Sequence, residues 1–372
     1  MSQVAEPVLA FDAAALVRPA VRGLPSYTRE PAPVTKPARE IQLAWNESPH
    51  GSSPKARAAL AAFDYLHRYP EFDAHTLRQA LGRYVGAPVE QVVAGAGLDD
   101  VLVTLATLLI DPGDRVIISE PTFGVYRPLF ATHGGEVINV PLRSDFTLNA
   151  ESILATVDPR TKLIVICNPN NPTGNLFDPV VIERIVAEAP CLVAIDEAYA
   201  EFAGVSHRVL MDRYPNVAVL RTMSKFAGLA GMRVGYGVFP LALMEHMLRV
   251  MPGFCNVSAA ATVAALASLD DLAYLEGVVA RIVADRDHLA DQMRAIPGVV
   301  PFPSATNFIL ARLPVANGAL VVAELARRGI YVRHFGRPEL GLVDCLRVSV
   351  GAAEDNAVFV AELADVLREV GS

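Results

Sequence analysis

Cysteine is scarce in this chain of 372 residues. Its four cysteines, Cys167, Cys191, Cys255 and Cys345, are scattered and form no Cys-x-x-Cys pair. That pattern excludes a disulfide framework and a zinc site, and reads as small buried hydrophobes in a reducing compartment. No metal is expected. Long hydrophobic runs are also lacking: the longest, Val101 to Ile110, is too short to cross a bilayer. Positive charge is in deficit, with a net charge of −8 that argues against a general nucleic-acid binder. The leading MSQVAEPVLAFDAAALVRP has neither the basic nor the apolar region of a secretory signal. Repeats and low-complexity tracts are absent. What is abundant is apolar surface: 52% hydrophobic residues against 19% charged ones can bury a sizeable core in two domains. A cytoplasmic enzyme is the expectation.

Residues 1–40 read as an irregular arm, because Pro7, Pro19, Pro25, Pro31, Pro33 and Pro37 break up any long helix. A short strand from Leu43 runs into a polar turn, then a helix spans 54–63 with proline in its first turn. Asp73 is placed to cap a second helix that ends near Gly86. Strands and helices then alternate. Strands are expected at 91–94, 116–119, 136–140, 162–167, 192–195, 217–220 and 234–239, and a helix at 179–188. Several of these strands are continuous apolar runs, as in a mostly parallel sheet covered by helices on both faces. The chain after about 255 changes character, with helices at 258–269, 271–296, 319–328 and 354–368 and short strands at 307–311, 331–333 and 346–350. The expected fold is therefore α/β, with a large domain over 41–255 and a smaller α+β domain over 256–372. The first residues after the arm would join the small domain, so that both chain ends build it.

Ligands in such sheets bind beyond the carboxyl ends of the strands, and four chemistry-bearing segments follow strand ends. The first, GAGLDD over 95–100, is a glycine turn opening a helix, a geometry that cradles anions. It is not a dinucleotide fingerprint, since the third glycine would fall at Asp100. The second is NPNNPTG over 168–174, which turn chemistry alone can explain. The third, DEAYAEF over 196–202, puts Asp196 at the end of an apolar strand, where a carboxylate wants a cationic partner or serves as a helix cap. The fourth is RTMSK over 221–225, with Arg233 eight residues on. An apolar setting and a nearby cation disfavour the ammonium form of Lys225, which a Schiff-base lysine requires. Ser224 and Arg233 are suited to hold a phosphate.

The order of these motifs resembles the fold-type I pyridoxal-phosphate aminotransferases over nearly the whole chain. More narrowly it resembles their histidinol-phosphate aminotransferase subgroup, through LPSY, WNESPHG, RYPE, PTFGVY, DEAYAEF, SKFAGLAGMRVGY, PSATNF and LRVSVG. The resemblance implies pyridoxal 5'-phosphate bound covalently to Lys225, with Asp196 at the pyridine nitrogen and Tyr199 and Asn171 at the ring oxygen. It implies Phe123 stacked on the ring, and a phosphate held by the backbone of Leu98 and Asp99 with Ser224 and Arg233. Tyr69 would reach that phosphate from the other subunit of a homodimer. Arg347 and Asn46 would hold one end of the substrate, with Arg333 and Tyr27 at its phosphate. The implied reaction is transamination between L-histidinol phosphate and 2-oxoglutarate in histidine biosynthesis. An aromatic aminotransferase on the same scaffold and a phosphothreonine-type decarboxylase are the rivals. The chain departs from the subgroup pattern at Leu98, at Ser48, at His334 where an acidic residue is common, and at Arg337, which adds a positive charge.

Overall fold

The computed structural model describes residues 17–24, 40–250 and 255–370. Its centre is a seven-stranded sheet in the order β2-β8-β7-β6-β5-β3-β4. The strands are β2 (Val92–Ala96), β3 (Arg115–Ile118), β4 (Glu136–Asn139), β5 (Thr161–Cys167), β6 (Leu192–Asp196), β7 (Val217–Thr222) and β8 (Val234–Val238). Parallel pairing runs from β7 through β6, β5 and β3 to β4; β8 is antiparallel to both of its neighbours. Every residue of β6, β7 and β8 is buried. Period-two alternation deals these side chains to opposite faces. Leu163, Val165, Cys167, Leu192 and Ala194 pack with the helices Leu98–Leu109, Tyr126–Thr132 and Leu241–Val250. Ile164, Ile166, Val193 and Ile195 pack with Ala150–Thr156 and Pro179–Glu188. Asp196 continues the register of Leu192 and Ala194, so its side chain lies on the face that carries Tyr126.

A second sheet, β12-β13-β10-β9, is built from β9 (Val300–Pro301), β10 (Phe308–Arg312), β12 (Arg333–His334) and β13 (Cys345–Ser349). It shares a core with the helices Leu272–Arg294, Ala319–Arg327 and Ala353–Val370. The strand β1 (Ile41–Gln42) pairs in parallel with β11 (Ile330–Tyr331), and Ile41 and Leu43 enter the same core. Ile41 to Leu43 therefore pack with the C-terminal part of the chain.

Three local expectations need correction. The strand expected over 331–333 is two strands in different sheets, because Tyr331 pairs with β1 whereas Arg333 pairs with β13. Asp73 does not cap the helix His75–Val85; Ala74 holds the cap position at φ 51°. Asp73 instead pairs with Arg78 at 2.7 Å, and Glu71 accepts from the Thr76 amide at 2.7 Å. The helices Ala150–Thr156 and Leu241–Val250 were not foreseen. Among the described residues no helix is long and apolar enough to cross a membrane, and no His, Cys, Asp and Glu cluster suited to a metal occurs.

Candidate active site

Lys225 lies in the connection from β7 to β8, just past the carboxyl end of β7. Its loop meets the 46–51 turn backbone to backbone: Gly228 has φ +63°, and a Cβ there would stand 2.2 Å from the Gly51 carbonyl oxygen. The Lys225 Nζ donates to the Trp45 carbonyl at 2.9 Å. Burial lowers the amine's pKa to about 8, helped by the positive charges of Arg347 and Arg233 and opposed by Glu47.

Asp196 is only 2% exposed. Its Oδ1 accepts the Ala198 amide at 3.0 Å and its Oδ2 accepts the Tyr126 hydroxyl at 2.5 Å. Burial raises its pKa to about 6, while these two hydrogen bonds lower it. No salt bridge joins it to a described residue, so a carboxylate deep in the sheet is held by neutral donors alone. It is not a helix cap, since Tyr199 occupies the cap position of Ala200–Ala203.

Around Tyr199 a hydrogen-bonded group draws in residues far apart in sequence. The Tyr199 hydroxyl accepts from Asn46 Nδ2 at 2.9 Å and makes a long contact of 3.5 Å with Asn171 Nδ2. Asn46 sits at φ 55° and is fixed by Ser349, which accepts from its amide at 2.8 Å. Arg347 donates to Asn171 Oδ1 and to the Ala44 carbonyl, each at 2.6 Å. Its guanidinium lies 5.1 Å from the Phe308 ring centre and 5.9 Å from that of Phe335. Arg333 is the cross-strand partner of Arg347 in the β12–β13 ladder, which places both side chains on one face of that sheet.

At the glycine turn, the helix Leu98–Leu109 starts at Gly97 with φ 90° and no side-chain cap. Asp100 pins the turn by accepting from the Ala96 amide at 2.8 Å and from Asn256 at 3.0 Å. Arg233, itself at φ 54°, lies against Gly97, where a Cβ would come within 2.4 Å of its guanidinium. That guanidinium donates to Asp99 at 3.2 Å. The hydroxyls of Thr222 and Ser224 are hydrogen-bonded at 2.9 Å. Phe123 is half-buried and meets Tyr126 edge-on, with ring centres 5.4 Å apart.

The structure thus gathers Lys225, Asn46, Tyr199, Asn171 and Arg347 through direct contacts or shared charge, with Asp196, Phe123 and the Arg233 turn on adjoining strand ends. Tyr69 is 83% exposed on the chain's surface. Tyr27 lies outside the described residues. Arg337 does not act as a bare positive charge: it pairs with Glu120 at 3.1 Å and Glu339 at 2.8 Å. Sequence reasoning missed Tyr126 and Asp100. It also missed a buried ionic group in which Arg221 binds Glu197 at 2.8 Å and Glu201 at 3.4 Å, with His207 on Glu197 at 3.2 Å. The signal for that group was present in DEAYAEF, which carries two further acids beside Asp196.

The profile described as "Aminotransferase class I and II" matches residues 38–363. A histidinol-phosphate aminotransferase from Roseiflexus castenholzii is 41% identical, over 95% of this chain and 98% of that protein. One from Methanosarcina mazei is 41% identical over 86% of each. The solved structure of histidinol-phosphate aminotransferase from Sinorhizobium meliloti in complex with pyridoxal-5'-phosphate has a TM-score of 0.84 and 28% identity, covering 90% of this chain and 92% of that one. L-threonine-O-3-phosphate decarboxylase from Porphyromonas gingivalis has a TM-score of 0.76 at 22% identity over 88% of this chain and 99% of that one, a likeness of fold alone.

Proposed function

The chain belongs to the aminotransferase class I and II family, and from that premise we propose that it transfers the amino group of L-histidinol phosphate to 2-oxoglutarate, with pyridoxal 5'-phosphate as cofactor. We further propose a cytoplasmic homodimer, with a large cofactor domain over 41–255 and a small domain over 256–372. The four cysteines are all free thiols, which suits a reducing compartment.

The residues fit the cofactor. Asp196 is a buried carboxylate whose raised pKa leaves it in want of a cation, and a protonated pyridine nitrogen supplies one. The uncapped start of Leu98–Leu109, with its Leu98 and Asp99 amides, has the donors and dipole for a phosphate ester. Arg233 and the Ser224 hydroxyl add to that grip. Lys225 has an amine that is substantially neutral near pH 8. When bound, the cofactor supplies an electron-withdrawing ring that delocalises the charge left when the substrate Cα loses its proton.

The chain's own residues do the rest. Lys225 Nζ would take the proton from the substrate Cα and hand it on to the cofactor's C4′, leaving the lysine neutral again. Asp196, oriented through the Ala198 amide and the Tyr126 hydroxyl, holds the proton at the ring nitrogen. Tyr199, set by Asn46 and Asn171, offers its hydroxyl at the ring oxygen, and Phe123 covers the ring's face. Arg347, on a guanidinium already gripped by Asn171, takes the α-carboxylate of glutamate. Tyr69 would reach the cofactor phosphate of the partner subunit, and Tyr27 would meet the phosphate end of the substrate.

The observation that carries the substrate is the pairing of Arg333 with Arg347 across β12 and β13. Arg333 stands on the same sheet face as the carboxylate-binding Arg347, where a second guanidinium suits the donor's phosphate, and Arg347 is near enough to Lys225 to depress its pKa. The test is a half-reaction on the cofactor-loaded protein with single amino donors, followed by loss of visible absorbance. Histidinol phosphate should convert the cofactor far faster than phenylalanine or tyrosine. Faster reaction with the aromatic donors would make the protein an aromatic aminotransferase, and release of CO2 from phosphothreonine would make it a decarboxylase.

A further inference from the structure

The segment between the two substrate-facing arginines leaves the small sheet after His334 and returns at Cys345. Along it stand Phe335, Arg337 and Glu339. Phe335 has its ring 5.9 Å from the Arg347 guanidinium and packs in a small apolar cluster with Phe146, Phe302 and Leu340. Beyond Phe335 the segment 336–339 is exposed, yet it is tied across the molecule. Arg337 Nη1 donates to Glu120 Oε1 at 3.1 Å, and its Nε donates to Glu339 at 2.8 Å.

Glu120 is not a surface acid. It follows β3 of the large sheet and is 6% exposed. Its amide donates to Asn139 at 2.8 Å and its carbonyl accepts from Leu142 at 3.0 Å. Its carboxylate is bracketed by two guanidiniums, Arg127 at 2.6 Å from the helix Tyr126–Thr132 that follows it and Arg337 at 3.1 Å from the segment beyond β12. Its chain neighbours touch the site: the Pro121 carbonyl accepts from Asn170 at 2.9 Å, and Thr122 donates to Asn170 at 2.9 Å. Asn171, which grips Arg347, is the next residue. A buried carboxylate pairs more strongly than an exposed one, and losing one of its partners matters more.

We propose that Glu120 and Arg337 form a clasp between the two sheets that holds the 335–341 segment against the site and so fixes Arg333 and Arg347 for the anionic end of the substrate. Arg337 is thereby a positioning residue for anion binding, acting through Phe335 and the β12–β13 strands. This deepens the transaminase reading and rests on it.

The experiment uses the cofactor-loaded full chain, with KM and kcat measured separately for histidinol phosphate and for glutamate. Arg337→Gln should raise KM for both by about fivefold or more and leave kcat within about twofold, the signature of lost uniform binding. Arg337→Lys, which can still reach Glu120 with one donor, should recover part of that loss. In a Glu120→Gln background, Arg337→Gln should add little, because the clasp is already open. Cofactor content of Arg337→Gln should match the parent and its melting temperature should fall by only a few degrees, since Glu120 keeps Arg127 as a partner. An unchanged KM, or a fall in kcat with KM constant, overturns the clasp. Should Glu120→Gln fail to fold, the Arg337 variants alone decide. If glutamate reacts and histidinol phosphate does not, the substrate reading fails and the clasp is judged on the KM for glutamate.

Discussion

At Lys225 the nearby cations and the surrounding burial act in the same direction on one amine. In the cofactor-free protein its pKa is brought from 10.5 to about 8. Between those values an unfolded chain holds a proton that the native lysine has lost, so native stability rises with pH across that window. Lys225→Met should abolish that rise, and urea denaturation of the cofactor-free protein at a series of pH values checks it. Covalent capture of pyridoxal phosphate should quicken as pH climbs and level off above about 8, read by stopped-flow absorbance. Tyr126 carries a second prediction at this scale. Removing its hydroxyl leaves Asp196 Oδ2 without its donor, which costs about 1–3 kcal/mol of stability at neutral pH and pushes the carboxyl pKa further up. Tyr126→Phe should therefore show a lower denaturation midpoint, and its acid limb of kcat against pH should move to higher pH. Asp196 was legible because it ends an apolar strand. Tyr126 was not: the link of hydroxyl to carboxylate spans 70 positions, and no local pattern marks it.

Among the elements, continuous apolar runs betrayed the strands of the central sheet, because strands buried on both faces need no polar alternation. Two-residue strands are a different matter. Nothing in the chain around Val332 says that Tyr331 and Arg333 will serve different sheets, since each is claimed by a partner remote in sequence. Asp73 failed as a cap for a comparable reason: Arg78, one turn into the helix, competes for its carboxylate. The glycine turn was visible as an anion cradle, but its tightness comes from packing. A Cβ on Gly235 would fall 2.1 Å from the Leu98 amide nitrogen. Backbone cannot swing aside as a flexible side chain can, so Gly235→Ala must push the helix start away from β8. A loss of about 1–3 kcal/mol in stability is expected, with a weaker grip on pyridoxal phosphate. Thermal melts and a cofactor titration check both.

Among the described residues, several strongly exposed apolar side chains fall close together in the sequence. Tyr65, Leu66, Tyr69 and Phe72 are 64%, 84%, 83% and 73% exposed, and they fall within eight positions of one another in the sequence. Exposed apolar side chains grouped in this way are suited to burial against another chain. On the proposed reading the cover is a second copy, and Tyr69 serves the partner's cofactor phosphate. In a two-fold dimer each site would then draw Lys225 from one subunit and Tyr69 from the other. Mixing Lys225→Ala with Tyr69→Phe separates the possibilities. A hybrid dimer whose sites are shared has one site with both defects and one site with neither. Refolding an equal mixture should therefore restore activity to about a quarter of the parent's, because half the dimers are hybrids with one intact site each. If Tyr69 works within its own subunit, every site in the mixture keeps one defect. No restoration above the average of the two variants would then appear, and the shared site would be refuted while the chemistry at Lys225 stood.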